Sequence, residues 1–151
     1  MKAAQPSLLY IRVVSCPDLQ KTDWLSENDT YVETHFKNFV SKTSVVKNNS
    51  SPAWADEVSV FPFILEDNGL HEKITFVIKD KDLFKDTVLD TINYSLAELS
   101  PKKLNVVRLD HLTFEACIGD FFFHPVGKTP RSHIKRYTAC KDTQLFREGH
   151  K

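Results

Sequence analysis

Short segments rich in β-branched and aromatic residues recur along the chain, and they limit what it can fold into more than any other feature. LLYIRVV (8–14), TYVETHF (30–36), FVSKTSVV (39–46), DEVSVFPF (56–63) and KITFVIK (73–79) have strand length and partly alternate apolar with polar residues. LDTINYS (89–95), LNVVRL (104–109) and EACIGDFFF (115–123) continue the series more weakly and bring it to eight. Only SLAELSPKKL reads as helical, which predicts a short helical turn near 96–103. Ile74, Phe76 and Ile78 fall on one face of their strand, as do Val58 and Val60 on theirs. Strands with one apolar face must pack on a second layer, so the expected class is all-β, an eight-stranded antiparallel β-sandwich.

At 151 residues the chain is long enough for one domain with a real core and too short for two ordinary ones. The formal charge is zero, but its distribution is uneven. Residues 1–127 hold 13 Lys and Arg against 18 Asp and Glu, while residues 128–151 hold 7 against 2. The expected organisation is therefore a domain over 1–127 of charge about −5, followed by a basic C-terminal segment, 128–151, of about +5 that has lost the strand pattern.

No apolar run approaches the roughly 20 residues of a membrane span. The first apolar run is broken by Arg12 and alternates, which reads as a strand and not as a signal peptide. Cys16, Cys117 and Cys140 are odd in number and widely spaced, which argues against a disulfide framework or a zinc knuckle and points to a cytoplasmic location. The six His form no pair with ligand or nucleophile spacing. Four Gly, at 69, 119, 127 and 149, allow neither a phosphate-cradling loop nor a nucleophile elbow, so an enzyme is not expected. The basic segment lacks an accompanying aromatic platform, and no nucleic-acid partner is expected.

In a sandwich the loops gather at two ends, where residues distant in sequence meet. TDWLSENDTYV, between the first two strands, carries Asp23 and Asp29 around Trp24 and Leu25. KDKDLFKD (79–86) repeats the composition with Asp80, Asp82 and Asp86 around Leu83 and Phe84. If both loops share one end, five carboxylates converge. Each pair about 4 Å apart would then cost on the order of 4 kcal/mol at an effective dielectric near 20, so the group calls for a cation. Calcium fits, because it takes six to eight oxygens in flexible geometry, whereas zinc would want His and Cys. The simpler reading of either loop alone is a solvated turn, since Asp favours turns for local reasons.

The blocks CPDLQKTDWLSENDTYV, KTSVVKNNSSPAWADE and IKDKDLFKD followed by NYSLAEL, in that order, resemble a C2 domain over roughly residues 7–125. Those of group IV cytosolic phospholipases are the most similar, with a comparable KN.SSP.W stretch and a short third loop. The chain departs from the family pattern at Thr30, where most members have Pro, and at Leu89 or Asp90, where many have Gly. The resemblance implies a calcium-dependent, reversible phospholipid-binding module that targets membranes. Carried over, Asp23 and Asp29 would be first-loop ligands and Asp80, Asp82 and Asp86 third-loop ligands, helped by carbonyls near Thr22 and Lys81 and by Asn48 or Asn49. Trp54 and Pro52 read as structural.

Calcium would neutralise a tip that otherwise repels lipid, letting Trp24, Leu25, Leu83 and Phe84 enter the bilayer. Apolar tips of this kind suit a phosphatidylcholine-like membrane. A stripe of Lys37, Lys42 and Lys47 offers a basic lipid face instead, or simply a solvated strand. Core positions for the four apolar residues, and a calcium-independent C2-like protein-interaction scaffold, are the competing readings. A phospholipase origin would add a catalytic domain in a longer chain.

Overall fold

The structure, a computed structural model, describes residues 5–21, 26–65 and 71–120. The expected 128–151 segment lies outside the described residues. Eight strands follow in order: β1 (Gln5–Ser15), β2 (Thr30–Phe36), β3 (Phe39–Lys42), β4 (Val58–Leu65), β5 (Lys73–Asp80), β6 (Thr87–Ser95), β7 (Asn105–Arg108) and β8 (Thr113–Asp120). They form two four-stranded sheets, ordered β4-β1-β8-β7 and β3-β2-β5-β6, in which every neighbouring pair is antiparallel. This is the all-β sandwich expected from the sequence. The helical expectation shrinks to a 3-10 turn, Leu96–Glu98, capped by the Ser95 side chain, with Leu96 and Leu99 plugging the core.

Alternation drives the packing. Along β5 every second residue, Ile74, Phe76 and Ile78, is buried against the facing sheet. Phe76 meets Phe114 at 4.6 Å between centroids, and Phe36 meets Phe63 edge-on at 5.3 Å. In β4 the parity is the opposite of the expectation: Phe61 and Phe63 face the core, which turns Val58 and Val60 outward. Two large rings fill the inter-sheet space better than two valines, and a strand can bury only one of its two faces. The third segment also stops early, at Lys42, although Val46 still bridges Thr30. Trp54 is buried as expected, its indole N–H donating to the Ser44 carbonyl at 2.8 Å. Cys16 is buried and free, but Cys117 is disulfide-bonded, against the expectation of unbridged cysteines.

Candidate functional site

Sheet register sets the site. Thr30, the first residue of β2, pairs with Asp80, the last of β5. The segment entering β2 and the segment leaving β5 therefore occupy the same end of the sandwich. Two further bonds seal the junction: Asp29 N–H donates to Asp80 Oδ1 at 2.8 Å, and Lys81 N–H donates to the Asp29 carbonyl at 2.8 Å.

The third segment of this end is 47–51. Asn48 N–H donates to Asp29 Oδ1 at 2.7 Å, and Asn48 Oδ1 accepts from Glu27 N–H at 3.1 Å. Asn48 takes a left-handed backbone, φ 52°, which asparagine tolerates better than most residues. Asn49 Oδ1 accepts from Ser51 N–H at 2.7 Å. Both amide oxygens are thus engaged in shaping the loop. Asn28, which sequence reasoning passed over, is buried beneath the tip and sends its amide to the Gln20 carbonyl at 2.9 Å. Its burial has no motif to announce it.

On the β5–β6 loop, Asp82 N–H donates to Asp86 Oδ1 at 3.1 Å, and the Thr87 hydroxyl donates to Asp82 Oδ2 at 2.9 Å. Asp86 Oδ2 accepts from the Tyr31 hydroxyl and lies 3.7 Å from Lys81 Nζ. These contacts, the tyrosine's first, hold the Asp86 carboxyl below its ordinary range. The Tyr31 phenol moves the other way, raised first by burial and then by the neighbouring carboxylate. Tyr31 was missed as a site residue, and its only signal was its strand parity opposite Lys79.

Asp29, Asp80, Asp82 and Asp86 therefore stand at one end, each held by a backbone N–H or a hydroxyl. Asp23, Trp24, Leu25 and the carbonyl near Thr22 lie outside the described residues. Among the described residues no three His, Cys, Asp or Glu side chains gather closely enough to hold a metal ion. The donors are nevertheless all oxygens, and three arms of the described set, Asp29, Asp80 and Asp86, are pre-oriented by main-chain donors. That chemistry fits a hard cation such as calcium.

Leu83 and Phe84 stand between the acids and project into solvent, 89% and 94% exposed. They are not part of the core. The lysine stripe is partly neutralised: Lys42 lies 3.6 Å from Glu33, and Lys37 lies 4.0 Å from Glu72 and over the Phe36 ring. Lys79 adds a closer contact to Glu33 at 3.0 Å. Burial alone would raise Glu33, but His35, Lys79 and Lys42 outweigh it and hold its carboxyl low. Lys47 is exposed beside the tip.

A two-sheet antiparallel sandwich carrying aspartate-bearing loops at one end defines a class, and the C2 domain family model matches residues 7–109. The chain belongs to the C2 domain family. It is 32% identical over 100 residues to FT-interacting protein 4 of Arabidopsis thaliana, a match that covers 66% of this chain and 12% of that protein. Among solved structures it is similar to human GIVD cytosolic phospholipase A2, with a TM-score of 0.69, 23% identity, and coverage of 80% of this chain and 17% of the other. It is also similar to the calcium-bound tandem C2 domains of Extended-Synaptotagmin 2, with a TM-score of 0.63, 21% identity, and coverage of 77% of this chain and 46% of the other. At these identities the structural likeness speaks for the fold. Among the described residues no helix is long and apolar enough to cross a membrane.

Proposed function

We propose that this C2 domain is a calcium-dependent phospholipid-binding module that targets membranes and is itself not an enzyme. The observation that carries the reading is the near-complete exposure of Leu83 and Phe84 on a loop flanked by Asp82 and Asp86. Two large apolar side chains held in water are costly unless something covers them, and each contributes roughly 1.5 to 3 kcal/mol if fully buried. Association costs are subtracted from that gain.

Asp29, Asp80 and Asp82, with Asp23 and Asp86, would hold the ion. Calcium supplies positive charge where the chain has gathered carboxylates. The chain's own residues do the rest. The Asp29–Asp80 bond fixes the two loops to each other, Thr87 steadies Asp82, and Leu83 and Phe84 present the apolar surface. Because Lys37 and Lys42 already have carboxylates nearby, insertion into a phosphatidylcholine-like surface is favoured over attraction to anionic lipid. The setting this implies is the cytoplasm, with recruitment to membranes when calcium rises; it rests on the calcium switch and not on the cysteines, since Cys117 is disulfide-bonded. The chain spans only a small part of the longer relatives it matches, so a catalytic or other domain in a longer chain is part of the proposal.

Co-sedimentation with phosphatidylcholine vesicles, with calcium and with chelator, tests it. Binding only in calcium is expected. No binding in either condition would favour the calcium-independent protein-interaction scaffold, and equal binding in both would overturn the calcium dependence while keeping the membrane contact.

A further inference from the structure

Among the aspartates at the loop end stands a lysine whose side chain is already a cation. Lys81 lies between Asp80 and Asp82, and its main chain is fixed, since its N–H donates to the Asp29 carbonyl at 2.8 Å. Its side chain is what remains free to swing. The ammonium reaches along the loop to 3.7 Å from Asp86 Oδ2, with the lysine side chain still 59% exposed. Asp86 is thus held on both oxygens: Oδ1 accepts from Asp82 N–H at 3.1 Å, and Oδ2 accepts from the Tyr31 hydroxyl while it faces Lys81. Asp82 is turned the other way, its Oδ2 accepting from the Thr87 hydroxyl.

The charges give this arrangement a direction. With the end empty, the ammonium offsets part of the repulsion among Asp29, Asp80, Asp82 and Asp86. A divalent cation among the same carboxylates would repel it. A group that stabilises the empty site and opposes the filled one lowers the affinity of that site by the difference.

We propose that Lys81 is a built-in counter-ion that latches Asp86 while the site is empty and so sets the calcium concentration at which this end loads. The inference rests on the calcium-dependent function proposed above and names the residue that tunes it. Both partners of the contact lie on the β5–β6 loop, between Asp80 and Thr87, so the pair ties no two strands together and can open without loosening the sheet. An ion pair this exposed contributes little to stability, which suits a contact that must be given up. Lys85, exposed on the same loop, carries the same charge and serves as the comparison.

Calorimetric titration with calcium, without lipid, compares the full chain with Lys81→Met, Lys81→Arg and Lys85→Met. A unit charge a few ångström from a divalent ion changes affinity by up to about tenfold even at the dielectric of water, and salt reduces this. Lys81→Met should therefore bind calcium roughly threefold to tenfold more tightly than the parent. Lys81→Arg should stay near the parent, and Lys85→Met should shift less than Lys81→Met. The ion-free chain gives an independent readout. A carbodiimide joins a lysine to a carboxylate only where the two meet, so it should couple Lys81 to Asp86 in chelator and fail to do so in calcium, as read by peptide mass spectrometry. Unchanged affinity in Lys81→Met, equal tightening in Lys85→Met, no Lys81–Asp86 product in chelator, or the same yield in calcium would each overturn the latch while leaving calcium binding in place. A parent that binds no calcium would overturn the proposed function and the latch with it.

Discussion

The main-chain N–H of Asp29 donates to Oδ1 of Asp80 at 2.8 Å, joining two loops that are 51 residues apart in sequence. One acid expected to hold the ion thus also holds the frame of the site. Its replacement must be read with that double duty in mind, which is why an amide, still able to accept from Asp29, is the right probe.

Asp80→Asn and Asp82→Asn should each keep the fold and lose most of the calcium response. An ion that binds only the folded chain stabilises it by mass action, about 2.7 kcal/mol at a hundred times Kd. The parent's Tm should therefore rise with millimolar calcium and the variants' Tm should stay nearly flat. Thermal scans with calcium and with chelator measure this, and variants that shift as much as the parent would remove these two residues from the site.

The sandwich was legible because period-2 patterning is local: Ile74, Phe76 and Ile78 announce their buried face without knowledge of any partner. Choosing between the two faces of β4 was not legible, since Val58-Val60 and Phe61-Phe63 are both apolar and the choice depends on the volume facing Phe36. The loop aspartates were visible as composition, and the Thr30–Asp80 pairing explains why four of them reach one end. Tyr31 and Asn28 stayed hidden. Their roles come from contacts with Asp86 and Gln20 that only the folded loops create.

The Tyr31–Asp86 contact predicts a pH signature. Asp86 is depressed in the folded chain, so its contribution is fully present above the unfolded value of about 3.9 and is lost as pH falls through the lower folded value. Tyr31 is raised, so its contribution holds below about 10 and is lost as pH rises through the higher folded value. Tyr31→Phe should raise the Asp86 pKa and flatten the acid limb of the stability profile, and it should also remove the alkaline loss due to Tyr31. Carboxyl NMR titration and denaturant melts across pH check both limbs. An unchanged Asp86 titration would show that the hydroxyl does not tune it.

Cys16 should be chemically silent in the native state. Burial, with a smaller push from Asp90, raises its thiol to about 12, so almost no thiolate exists at neutral pH. Iodoacetamide should modify Cys16 only after denaturant unfolds the chain, and peptide mass spectrometry reports the site. Rapid modification of Cys16 in the native protein would mean that the β1 end opens far more readily than its bond to the Pro52 carbonyl at 3.0 Å suggests.

Leu83→Ala with Phe84→Ala separates membrane insertion from folding. Because these side chains are 89% and 94% exposed, truncating them removes almost no packing, and stability should change little. Phe76→Ala, by contrast, should cost about 3 to 5 kcal/mol, the usual penalty for deleting a buried ring. The calcium-induced rise in Tm should survive in the double variant, since no ligand oxygen is lost. Partitioning to phosphatidylcholine vesicles should weaken, by at most the burial of two side chains, about 3 to 6 kcal/mol. Salt adds the decisive control. Attraction between exposed charges is screened within a Debye length of about 8 to 10 Å near physiological ionic strength, whereas apolar burial is not. Parent binding should therefore persist when salt is raised and depend on Leu83 and Phe84. Binding that collapses with salt but ignores the double substitution would move the membrane contact to Lys47 and its basic neighbours.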